Sequence, residues 1–95
     1  MTKDQIQAAQ RIGLVVLETI DGADELGAPG GVLYAGLMTQ GCTLNQFQSL
    51  MGTLQGRGFV RLEGECYHVT ASGKTFIQVL QRTVASQQHS SATAT

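Results

Sequence analysis

Apolar residues recur at helical spacing through the first twenty-two positions. Ile6, Ala9, Gly13, Val16, Leu17 and Ile20 fall on one stripe, which is the pattern of an amphipathic helix. Leu14 and Val15 lie off it. The helix is therefore apolar on more than one side, as expected of a helix covered by its own core and by a partner chain, or of the central helix of a monomer. Asp4 is placed to cap it, because a carboxylate accepts from the orphan amides of a first turn. Residues 21–31, DGADELGAPGG, break the pattern with glycines, a proline and acids, and read as a loop.

Pro29 has its torsion preset for a helix start. A second helix is expected from Gly30 to Thr39, with Val32, Leu33, Leu37 and Met38 as its apolar members. Gly41 suits the left-handed residue that ends it. Thr43 then caps a third helix, Leu44 to Gln55. Leu44, Phe47, Leu50, Met51 and Leu54 form its apolar stripe. Its opposite face carries Asn45, Gln46, Gln48, Ser49, Gly52, Thr53 and Gln55, and Gly56-Arg57-Gly58 ends it.

The period then changes to two. Phe59–Glu63 and Cys66–Thr70 alternate around Gly64-Glu65, which predicts a β-hairpin. Thr70 caps a last helix from Ala71 to about Val84, with Phe76, Ile77, Leu80 and Val84 facing inward. Residues 86–95, SQQHSSATAT, are polar and low in complexity and are expected to form a disordered tail. The fold class is mainly α with a small β-hairpin (α+β), in one domain over residues 1–85.

The order is helix, helix, short turn, helix, hairpin, helix, and the middle pair is spaced as a helix-turn-helix. The step Val69-Thr70-Ala71-Ser72-Gly73 resembles the strand-Thr-x-x-Gly junction that closes the wing in many winged-helix regulators, MarR-like and PadR-like ones among them. The resemblance covers about residues 5–84 and is one of architecture. It implies a homodimer, joined through the first and last helices, that reads DNA with the third helix and lays the wing on the backbone. By position, the readers would be Asn45, Gln46, Gln48, Ser49 and Thr53. The phosphate contacts would be Arg57, Arg61 and Lys74. Amides suit adenine edges, and hydroxyls suit any base or phosphate.

Charge modifies this picture. Charged residues make up 14 % of the 95, and the net charge is −1, against roughly 25 % charged in an average protein. Low charge with ordinary apolar content suggests a surface partly covered, most simply by a second copy. Residues 1–30 carry a local −3, from two basic and five acidic residues. Residues 57–95 carry a local +2, from four basic and two acidic residues. Between Leu26 and Gly56 there is no charge at all. A recognition helix of this class commonly carries Lys or Arg, because phosphate neutralisation supplies most of the affinity. Glu63 and Glu65 at the hairpin tip would also repel phosphate. The sequence thus sets two readings side by side: a DNA-binding transcriptional regulator, and a winged-helix adaptor that contacts protein alone.

Other candidate chemistry is sparse. Ser72-Gly73-Lys74-Thr75 looks like the end of a phosphate loop, but the required upstream glycine is replaced by His68. Cys66 and His68 share a strand face, yet two ligands do not make a metal site; Cys66 is expected in the core and His68 near the surface. Cys42, in the turn, is a candidate redox sensor without a neighbouring cation to lower its pKa. No nucleophile, base and orienting group fall together, so no enzyme, cofactor or metal is expected. No leader and no apolar run of roughly 18 residues is present, so a cytoplasmic protein with reduced thiols is expected.

Overall fold

The computed structural model describes the backbone of residues 2–94 and the side chains through Gln87. In chain order the elements are α1 (Lys3–Gly22), a single 3-10 turn (Asp24–Leu26), β1 (Ala28–Pro29), α2 (Gly30–Met38), α3 (Leu44–Gly56), β2 (Val60–Glu63), β3 (Cys66–Val69) and α4 (Ala71–Ala94). The protein is mostly helical, with one small antiparallel sheet in the order β1-β3-β2. This arrangement is compatible with a winged-helix-like one.

The helix starts follow side-chain capping. Thr2, not Asp4, caps α1: its hydroxyl accepts from the Gln5 amide (3.2 Å), and the Gln5 side chain accepts from the Thr2 amide (2.9 Å). This reciprocal box satisfies two orphan donors where Asp4 inside the first turn would satisfy one. Thr43 repeats the device with Gln46 at the start of α3. Gly41 takes φ 86° in the turn before it, as its position required.

The loop expected over residues 21–31 is only partly a loop. Ala28 pairs with Tyr67 and Pro29 with Cys66, adding β1 to the free edge of β3. Pro29 is tolerated there because β1 is an edge strand and needs no inward donor. The Gly30 amide extends the contact to the Glu65 carbonyl (3.1 Å).

The core draws on all four helices, on β1 and β2 and on the turn between α2 and α3. Leu14, Val16, Leu17 and Ile20 from α1 meet Leu33 and Leu37 from α2, Phe47, Met51 and Leu54 from α3, and Ile77 and Leu80 from α4. Ala28 and Val60 close it from the sheet, and Cys42 from the turn. Tyr34 reaches Phe47 with ring centroids 5.5 Å apart, and Phe59 stacks on Phe76 at 4.1 Å. Of the expected α2 members, Leu33 and Leu37 are buried, whereas Val32 and Met38 point outward.

Helices α1 and α4 lie antiparallel. Lys74 approaches Asp21 (3.7 Å), Gln81 donates to Glu18 (3.1 Å), and Gln87 donates to Gln10 (2.6 Å). The expected end of α4 near Val84 is passed. The backbone stays helical to Ala94, across most of the stretch expected as a disordered tail, and Thr95 lies outside the described residues. No glycine or proline follows Gly73, and lengthening a helix that has already nucleated is cheap.

Candidate functional site

The five candidate readers of α3 sit together because the helix is two-faced. Phe47, Met51 and Leu54 are buried. Asn45, Gln46, Gln48, Ser49 and Thr53 are all exposed on the other side. No carboxylate or cation interrupts this face until Arg57, which caps the helix C-terminus.

The hydrogen bonds divide these residues. Gln46 spends its side-chain oxygen on the Thr43 amide at 2.9 Å, so only its amide nitrogen remains to meet a partner. The Thr53 hydroxyl donates back to the Ser49 carbonyl at 2.9 Å, a local bond common for hydroxyls within helices. Among the described residues, the side chains of Asn45, Gln48, Ser49 and Arg57 make no such bond.

The hairpin cations are committed differently. Arg61 donates from Nε to Glu63 Oε1 at 2.8 Å. The two are two residues apart, on one face of β2. His68 is the cross-strand partner of Arg61, and its Nε2 lies 3.9 Å from Glu63 Oε2. The Arg61 guanidinium, through its hydrogen bond and then its charge, holds the Glu63 carboxyl below the usual carboxylate range. Lys74 stands on the first turn of α4, beside Asp21 of α1. The structure thus sets the α3 residues and Arg57 exposed along one helix and its end, pairs Arg61 with Glu63, and places Lys74 beside Asp21 at the end of α1.

The remaining sequence candidates find ordinary places. Gly73 of the phosphate-loop look-alike is buried against Phe59. Cys42 is buried, and its thiol donates to the Thr43 carbonyl at 3.6 Å. Cys66 is only half-buried, short of the core position expected for it. The His68 side chain is 12 % exposed, less than a surface position would give, because it packs on Gly27. Among the described residues, no three His, Cys, Asp or Glu side chains cluster as metal ligands would, and no helix is long and apolar enough to cross a membrane.

One feature escaped the sequence. A shallow open cavity of about 510 Å³ lies between the start of α2 and the hairpin. Pro29, Val32, Leu62 and Tyr67 give it apolar walls, and Glu65 stands at its edge. Its only sequence signal is Gly30-Gly31, whose missing side chains leave the space open.

No protein-family model matches the chain, and neither do any of the curated proteins or solved structures.

Proposed function

We propose that this chain is a winged-helix protein that binds duplex DNA in transcriptional control, as a cytoplasmic homodimer. The observation that carries the reading is the exposed face of α3. Asn45, Gln48, Ser49 and Thr53 offer only amide and hydroxyl groups, and the face ends at Arg57, which makes no ion pair among the described residues. Such groups suit base edges and phosphates, and no acid opposes them anywhere between Leu26 and Gly56. The hairpin that follows α3 directly supplies a wing. The dimer surface is formed by the first and last helices, α1 and α4, where Ala8, Val15 and Thr19 of α1 are exposed on a side away from the core stripe and Val79 of α4 is exposed as well.

A second reading has its own support. Met38 and Leu44 are exposed at either end of the α2–α3 turn, and Val32 and Leu62 beside the cavity. An adaptor that buries these side chains against a protein would need no cations.

Fluorescence anisotropy of the full chain with mixed-sequence duplex DNA separates the two. The DNA reading expects binding at low salt that weakens linearly on a log-log plot as salt rises. Arg57→Ala should reduce that slope by about one. An absence of binding at low salt would overturn the DNA reading and leave the adaptor.

A further inference from the structure

Arg61, Glu63 and His68 form a compact group on one face of the hairpin. Strand alternation puts Arg61 and Glu63 on the same side, and register puts His68 directly opposite Arg61. Glu63 leans back along its strand, with one oxygen 2.8 Å from Arg61 Nε and the other 3.9 Å from His68 Nε2. Both partners of the ion pair are more than half exposed. The contact is therefore open to competition from any anion that reaches the wing. Glu65, two residues on, makes no ion pair among the described residues, so the two tip carboxylates are not equivalent.

We infer that Glu63 is an intramolecular competitor for DNA phosphate at Arg61, so that the wing engages the backbone only when phosphate displaces the carboxylate. This rests on the DNA-binding reading above and deepens it. A guanidinium already neutralised by a carboxylate attracts phosphate weakly and releases few counterions when it binds. Glu63 thereby lowers the intrinsic affinity of the wing and leaves discrimination to the α3 face. The alternative geometry, in which Glu63 orients Arg61 for phosphate, predicts the opposite sign. The pair is held through Nε alone, which leaves both terminal nitrogens of Arg61 able to meet a phosphate once the carboxylate leaves.

The test compares Glu63→Gln with Glu65→Gln in the full chain, on the same mixed-sequence duplex, over a range of salt. Each variant removes one negative charge from the hairpin tip, and only the first frees Arg61. The expected result is affinity about three- to five-fold tighter at low salt for Glu63→Gln, the scale of one exposed ion pair. Its salt slope should steepen by about 0.9. Glu65→Gln should give a smaller gain, and Glu63→Gln should lose most of its gain in an Arg61→Ala background. Equal gains from the two variants, or weaker binding by Glu63→Gln, would overturn the inference while wild-type binding still upheld the DNA reading. A wild-type chain that binds no duplex at low salt overturns both.

Discussion

Gly73 lies so close to the Phe59 carbonyl that any Cβ at position 73 would overlap its oxygen, and it would also come within 2.8 Å of Val69 Cγ1. Thr70 explains the approach. Its hydroxyl donates to the Gly58 carbonyl (2.6 Å) and accepts from the Gly73 amide (3.0 Å), and its own amide donates to Phe59 (3.0 Å). The Thr-x-x-Gly step is thus a clamp that fixes the start of α4 against the end of α3. Gly73→Ala should destabilise the protein by about 2 kcal/mol, in the range of overpacked sites. Gly52→Ala, at a helical glycine with open space around it, should stabilise by about 0.5–1 kcal/mol. Urea unfolding with unchanged m values checks both, and equal effects would remove the clamp.

Gly27 and His68 make a second close approach. Gly27 has φ 76°, and a Cβ there would meet His68 Cε1 at 2.6 Å. Gly27→Ala should cost about 1–3 kcal/mol from backbone strain and crowding together. His68→Ala in the same chain should restore only the crowding share, because the positive φ remains. Full restoration in the double variant would show that the backbone carries no strain.

Gln46 and Gln48 should part company on substitution. Gln46 belongs to the Thr43 capping box, whereas Gln48 is exposed and makes no hydrogen bond among the described residues. Gln46→Ala should lower the thermal midpoint, and Thr43→Ala should cost about 1 kcal/mol. Gln48→Ala should leave stability unchanged and act on binding alone. Equal loss of stability from both glutamines would contradict the division.

The Arg61–Glu63 pair has a pH signature. Glu63 titrates below its ordinary 4.5 in the folded chain, first through its bond to Arg61 and then through that charge. A lowered folded pKa contributes stability that is present above the ordinary value and is lost as pH falls through the lowered one. The difference between wild type and Glu63→Gln should therefore be constant from neutral pH down to about 4.5 and shrink below it. Urea unfolding across that window measures it, and a difference that grows on acidification would contradict the assignment. The exposed pair contributes little in any case.

Dimerisation through α1 is checked by sedimentation. The full chain should sediment as a dimer at micromolar concentration, and Val15→Glu should give a folded monomer. A monomeric wild type would leave Val15 as an isolated exposed apolar residue, which is ordinary on a protein surface.

Local signals carried much of the architecture. The stripe of α3, the Thr43 cap, Gly41 and the Gly64 turn are each set by residues within a few positions of one another, so period and capping chemistry reveal them. The candidate reading face of α3 was legible for the same reason, since it is the complement of Phe47, Met51 and Leu54. A generic capping rule points to Asp4 at the start of α1, whereas Thr2 and Gln5 together make the reciprocal box that caps it. Which of the apolar members of α2 are buried was not legible, because apolar character alone does not say which side of a nine-residue helix meets its neighbours, and Val32 and Met38 face outward.

The sequence by itself determined the order of the four helices and the hairpin, most of the helix boundaries and the polar face of α3, because those follow from interactions between near neighbours in the chain. Only the tertiary structure decided that Ala28-Pro29 becomes a strand, since that needs the edge of β3 nearly forty residues later. It likewise decided that Glu63 occupies Arg61, that Lys74 turns to Asp21, and that His68 is covered by Gly27. Each depends on which groups the fold brings within a few ångströms, a distance that separation along the chain does not encode.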